Sequence, residues 1–87
     1  MISKKVRITN PTGLHLRPAG LFCKTALDFE SKVTFRHKET EASAKSVLSV
    51  LGACVKSGDE IEIICEGKDE ERALAAMVEI VESGLGE

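Results

Sequence analysis

Residues 10–20, NPTGLHLRPAG, set one histidine and one arginine two residues apart inside a bracket of glycine and proline. The stretch separates two kinds of periodicity. Before it, Ile2, Val6 and Ile8 recur at even spacing with mostly basic residues between them, the pattern of a half-buried strand ended by the turn NPTG. After it, Ala19, Phe22, Cys23 and Ala26 fall at i, i+3, i+4 and i+7, which predicts a helix from about Leu16 to Leu27 with one apolar face. His15 therefore stands at a strand-to-helix junction. Pro18 leaves two registers open there: proline favours the first helical position, which makes Arg17 the cap, whereas an earlier start makes His15 itself the cap.

The same two periods order the rest of the chain. Val33, Phe35 and His37 alternate with Thr34 and Arg36, and after the turn at Lys38-Glu39 the run TEASA continues as a weaker strand, forming a hairpin. KSVLSVLG sets Ser46 as an N-cap before Val47, Leu48, Val50 and Leu51 and closes on Gly52, a short helix. Past the Gly58-Asp59 turn, EIEIICE alternates Ile61, Ile63 and Cys65 against Glu60, Glu62 and Ile64, and Ile64 on the polar face points to a central strand. Asp69, Glu70 and Glu71 open a last helix whose stripe is Leu74, Met77, Val78 and Val81, ending at Gly84. The order is βαββαβα. Strands with one apolar face joined partly by hairpins imply an α+β protein, an antiparallel sheet with helices covering one side.

Composition narrows the function. A chain of 87 residues, 43% of them apolar, can bury one core and is read as one domain over 1–87. With 14 acids against 12 bases, net charge −2, neither a nucleic-acid footprint nor a polybasic membrane-binding field is present, so any charge-based function is local. No apolar run is long enough for a signal segment or a membrane span, and a cytoplasmic location is expected. Cys23, Cys54 and Cys65 are odd in number and lack zinc-ligand spacing, so no metal is expected; each lies in an apolar stretch and is predicted to be a small buried hydrophobe. Asn10-Pro-Thr is not a glycosylation sequon, because proline fills the excluded middle position.

The chemistry concentrates at His15. A largely neutral imidazole offers a nucleophilic ring nitrogen without needing a separate base. The first backbone N–H groups of the helix behind it have no intrahelical partners and carry the positive end of the dipole, an anion site to which Leu16 and Arg17 contribute the backbone. Arg17 adds a permanent charge suited to phosphate oxygens. The expected guest is a phosphoryl group, and no cofactor is required. His-x-Arg spacing alone is a weak signal, and the wider context strengthens it.

GLHLRPAG resembles the core motif G-[IL]-H-[AS]-R-P-A of the HPr phosphocarrier proteins of the bacterial sugar phosphotransferase system, matching it at Gly13, Leu14, His15, Arg17, Pro18 and Ala19. A second motif of that family surrounds a serine, matched by AKSVLSVLGACVKSGDEIEI with Ser46 before the short helix, and the resemblance spans essentially the whole chain. It implies an open-faced β-sandwich, four antiparallel strands with three helices on one face. It also implies that enzyme I, phosphorylated from phosphoenolpyruvate, passes its phosphoryl group to Nδ1 of His15, that Arg17 supports the transfer, and that the A domains of sugar permeases receive the group. A monomeric carrier, not an enzyme in its own right, is expected, with no nucleic-acid partner and no membrane insertion. Two departures stand out: Leu16 occupies a position where a small residue is usual, and Gly20 weakens the helix by about 0.5–1 kcal/mol relative to alanine.

His37 lacks the adjacent arginine and helix start, so a structural or solvent-exposed role is expected for it. Ser46 is explained as a plain cap. In Gram-positive relatives the matching serine is also phosphorylated by an ATP-dependent HPr kinase/phosphorylase, which implies a catabolite-control transcription regulator as a partner, while relatives without that kinase carry the serine as well. Val47, Leu48 and Leu51 cannot all be buried by so short a helix, and the resemblance implies that this patch meets partner proteins; with Leu16 and Gly20 it is the expected partner interface. The alternative readings are an HPr-like regulatory binding module and a nitrogen-branch carrier not tied to sugar uptake. Retention of His15 favours a carrier over a purely regulatory module.

Overall fold

The two periodicities resolve into seven elements in a computed structural model that describes residues 1–87. They are β1 (Ile2–Arg7), α1 (Leu16–Leu27), β2 (Lys32–His37), β3 (Thr40–Ser43), α2 (Val47–Gly52), β4 (Glu60–Glu66) and α3 (Glu70–Glu82). The strands form one sheet in the order β1-β4-β2-β3 with every neighbouring pair antiparallel. The fourth strand in sequence is thus an inner one, as the apolar Ile64 on its polar side anticipates. The helices cover one face, α3 against β1 and β4, α2 against β3, and α1 beside both other helices. This is the expected α+β open-faced arrangement, and no helix is long and apolar enough to cross a membrane.

Alternation sends Ile61, Ile63 and Cys65 of β4 under the helices, where they meet Val33 and Phe35 of β2. Phe35 packs edge-on against Phe22 of α1 with ring centroids 5.5 Å apart and planes at 89°. Such a pair adds about 0.5–1.5 kcal/mol beyond its area burial. On the open face Arg36 lies 3.8 Å from both Glu41 and Glu62. These exposed pairs contribute at most about 1 kcal/mol each.

Two expectations change in detail, one in α3 and one at a cysteine. In α3 the fully buried positions are Ala73, Met77, Val78 and Val81, while Leu74 is half-buried at the rim of the stripe. Asp69 stands at the start of α3 but does not cap it with its side chain; its carboxylate instead accepts from the backbone N–H groups of Glu30 and Ser31 and from the Ser31 hydroxyl. The Ser31 hydroxyl is the main reason the carboxyl is held down to about 2. The second change concerns cysteine. Cys23 and Cys65 are buried as expected, and desolvation is the first cause that pushes the Cys65 thiol up. Cys54 is exposed.

The reason is backbone conformation. Cys54 follows the end of α2 with φ +55, a left-handed residue that reverses the chain while Ala53 and Val55 on either side stay buried. Its side chain is left in solvent. For a residue with a Cβ this conformation costs roughly 1–2 kcal/mol, part of which glycine gives back through its freer unfolded chain. Cys54→Gly is expected to stabilise the fold by about 1 kcal/mol, raising Tm by about 4–8 °C in thermal unfolding. An unchanged or lowered Tm would show that the left-handed residue is not strained.

Candidate functional site

The loop between β1 and α1 is held at both ends by one segment, residues 53–59. At its entry, Ile8 N–H donates to the Asp59 carbonyl at 2.8 Å and the Ile8 carbonyl accepts from Gly58 N–H at 2.7 Å. At its exit, Leu14 N–H donates to the Val55 carbonyl at 3.0 Å. Between these ends Asn10 closes the turn, its carbonyl accepting from Gly13 N–H at 3.2 Å and its Nδ2 donating to the Gly13 carbonyl at 2.8 Å. Gly13 has φ +66 and sits so close to the segment that a Cβ would lie 2.5 Å from the Val55 oxygen. Only glycine fits this seat.

Burial then alternates in blocks. Gly13 and Leu14 are buried, His15, Leu16 and Arg17 are exposed, and Pro18 and Ala19 are buried again. Three consecutive side chains are thereby presented to solvent from a loop anchored on both sides. His15 is the N-cap residue with φ −78 and ψ −174, so of the two helix registers the earlier start is the observed one. Pro18 is the third residue of α1, where its missing N–H costs nothing because first-turn amides have no intrahelical partner. The His15 carbonyl accepts from Ala19 N–H at 2.7 Å, but the ring makes no capping bond. The ring is left in solvent. Leu16 and Arg17 occupy the first two helical positions, so their N–H groups are unpartnered within the helix and point beyond its start.

One contributor has no signal in the local sequence. The Glu87 carboxylate accepts from Asn10 Nδ2 at 2.9 Å, from the Thr12 hydroxyl at 2.8 Å and from Thr12 N–H at 3.3 Å. The Asn10 and Thr12 side chains, assisted by the charge of Arg17, hold its carboxyl below the usual range. Glu87 thus ties down the loop's turn and brings a negative charge toward Arg17. The contact joins residues 75 and 77 positions apart, which no periodicity encodes.

Around α2 the predicted interface divides. Ser46 caps the helix, its hydroxyl accepting from Ser49 N–H at 3.2 Å. Leu48 is 78% exposed, Leu16 66% and Val47 37%, whereas Leu51 is half-buried and Val50 fully buried. The exposed apolar side chains thus rise from the first turns of two helices that pack side by side. Gly20 on α1 is half-buried, and no atom lies within 4 Å of where its Cβ would be, so tight packing does not explain the glycine. His37 is buried, with both ring nitrogens engaged, the structural one of its two expected roles. The largest hollow in the surface lies between β1 and α3, lined by Ile2, Lys4, Leu74 and Val78, and shares no residue with the His15 loop.

Residues 2–83 match the family model described as PTS HPr component phosphorylation site. The chain is 34% identical over 87 residues to a phosphocarrier protein HPr of Treponema pallidum, covering 100% of this chain and 99% of that one. It is also 34% identical over 82 residues to an HPr-like protein Crh of Halalkalibacterium halodurans, covering 94% and 98%. Among solved structures, HPr-C-His from Thermoanaerobacter tengcongensis superposes with a TM-score of 0.97 at 38% identity, covering 100% of this chain and 98% of that one.

Proposed function

The chain belongs to the HPr family of phosphocarrier proteins, and from that membership we propose that it takes a phosphoryl group from phosphorylated enzyme I onto His15 and passes it to the A domains of sugar permeases. The observation that carries this reading is the contrast between the two histidines. His15 is exposed with an unbonded ring at a helix start, whereas both nitrogens of His37 are engaged inside the protein. A nucleophile needs a free lone pair, and only His15 has one.

In the transfer the His15 ring nitrogen forms a bond to phosphorus as the bond to the donor breaks. Phosphoryl transfer asks the protein mainly for position and charge. The Leu16 and Arg17 N–H groups receive the phosphoryl oxygens and the Arg17 guanidinium compensates their charge. The protein is a carrier that returns to its starting state only after handing the group on, and it works as a cytoplasmic monomer. Leu16, Gly20, Val47, Leu48 and Leu51 form the docking surface for both partners, where a small apolar contact permits rapid release. Incubation with enzyme I and labelled phosphoenolpyruvate tests the reading. Acid-labile label on the protein is expected; its absence would reject the assignment.

The likeness to an HPr-like protein Crh favours a second reading, a regulatory module selected by phosphorylation of Ser46 through an HPr kinase/phosphorylase and read by a catabolite-control transcription regulator. His15 would have no task in such a module. A nitrogen-branch carrier would share the His15 chemistry with different acceptors.

Ser46 phosphorylation is proposed to act on the carrier by disturbing docking. Ser46→Asp is expected to slow transfer from enzyme I roughly tenfold, because a new charge beside Val47 and Leu48 opposes an apolar contact and repels an acidic partner surface. The same aspartate retains a cap and complements the helix dipole, so thermal stability should hold or rise while transfer falls. Ser46→Ala controls for the cap. Equal initial rates for Asp and parent would leave Ser46 as a cap only.

A further inference from the structure

Histidine 37 is a buried ionisable group that the transfer chemistry does not use. It is 5% exposed at the end of β2, and each of its ring nitrogens faces an oxygen. Nδ1 lies 3.0 Å from the Ala53 carbonyl at the end of α2, and Nε2 lies 2.8 Å from Asp59 Oδ2. A carbonyl and a carboxylate are both acceptors, so the two bonds exist together only when both nitrogens carry a proton. Removing either proton leaves a lone pair aimed at an oxygen inside the protein, an arrangement that low local dielectric penalises.

The bonds matter because of what they hold. Ala53 and Asp59 are the two ends of the segment that seats the His15 loop. Within it, Asp59 Oδ2 also accepts from Lys56 N–H at 3.0 Å, and Lys56 N–H and the His37 ring together lower the Asp59 carboxyl. The Asp59 carbonyl accepts from Ile8 and the Val55 carbonyl from Leu14, the residues at the loop's entry and exit. One histidine ring thus pins both ends of a short segment, and that segment pins both ends of the loop that carries His15. The remaining charge acting on Asp59 is Lys38, in the turn beside His37. Arg36 is turned toward Glu41 and Glu62 on the open face, and α2 brings only its terminal carbonyl, having no charged side chain.

We propose that His37 and Asp59 are positioning residues for phosphoryl transfer, an imidazolium–carboxylate brace that sets the geometry of the His15 loop through residues 53–59. The inference rests on the carrier reading for its kinetic consequence. Its structural core, coupling between the His37 ring and the loop backbone, is measurable without any transfer. Misplacing a reacting group by a fraction of an ångström slows transfer without altering the docking surface.

The test has two arms. In the first, His37→Gln and Asp59→Asn are compared with the parent in transfer from enzyme I. The brace requires kcat to fall roughly tenfold with KM within about twofold of the parent. Folded variants that keep the parental kcat overturn it, as does a change confined to KM. In the second arm, nuclear magnetic resonance of the parent protein follows the His37 ring and the Leu14, His15 and Val55 amides across pH. Two ring N–H protons on His37 are expected, and on raising pH the three amides should shift together with the loss of the ring proton. Amides indifferent to His37 titration, or a ring with a single N–H throughout, overturn the brace even if the variants fail to fold. Should the parent take no phosphoryl group from enzyme I, the carrier reading fails and the second arm still decides whether the brace exists.

Discussion

His15→Ala is expected to abolish labelling by enzyme I and phosphoenolpyruvate, leaving no acid-labile phosphate on the protein. The size of the effect follows from the inventory of nucleophiles. The chain has two histidines, and the other one is 5% exposed with one nitrogen on a carbonyl and the other on a carboxylate. His37 therefore has neither access nor a ring nitrogen free of a protein partner. The fold should be unaffected, since the His15 ring makes no capping bond and its side chain is exposed. Thermal unfolding and labelling measured on the same preparation separate loss of chemistry from loss of structure. Residual acid-labile phosphate on His15→Ala, or phosphate located on His37, would move the acceptor elsewhere.

Gly13→Ala carries the largest structural effect. The residue has φ +66, where a Cβ costs roughly 1–2 kcal/mol. That Cβ would also lie 2.5 Å from the Val55 oxygen and 2.8 Å from Lys56 Cα. Both are backbone atoms, so no side chain can swing away, and overpacking of this kind adds about 1–3 kcal/mol. A destabilisation of about 3 kcal/mol should lower Tm by more than about 12 °C in a chain of this size. The movement that relieves the clash also separates Leu14 from Val55, so transfer should slow even at temperatures where the variant is folded. Gly20→Ala is the matched control: with no atom within 4 Å of its Cβ, it should gain about 0.5–1 kcal/mol of helix stability. If the two substitutions change Tm equally, the close seat of Gly13 on residues 55 and 56 is not a real constraint.

The two glycines also mark where sequence reading stops. Both look alike in NPTGLHLRPAG, one before the histidine and one after, yet one is locked against a distant backbone and the other faces open space. What the sequence determined by itself is local. The stripe Ala19, Phe22, Cys23 and Ala26 specifies α1, alternation in EIEIICE specifies β4, and Ser46 specifies the start of α2, because helix and strand periods and caps depend on neighbours a few residues away. The pairing of His15 with Arg17 at a helix start is legible for the same reason, and the family motif adds its meaning.

The tertiary structure decided the rest. Strand β4 inserts between β1 and β2 with Val6 opposite Ile61 and Phe35 opposite Ile63, and this order carries residues 53–59 under the loop that holds His15. From that placement follow the seat of Gly13, the outward turn of Cys54 at φ +55 and the grip of His37 on Ala53 and Asp59. Glu87 reaches Asn10 across 77 positions only because α3 returns the chain to the same end of the sheet. Periodicity tells each element which face to bury. It carries no information about which buried face meets which, and that choice is made only when the whole core closes.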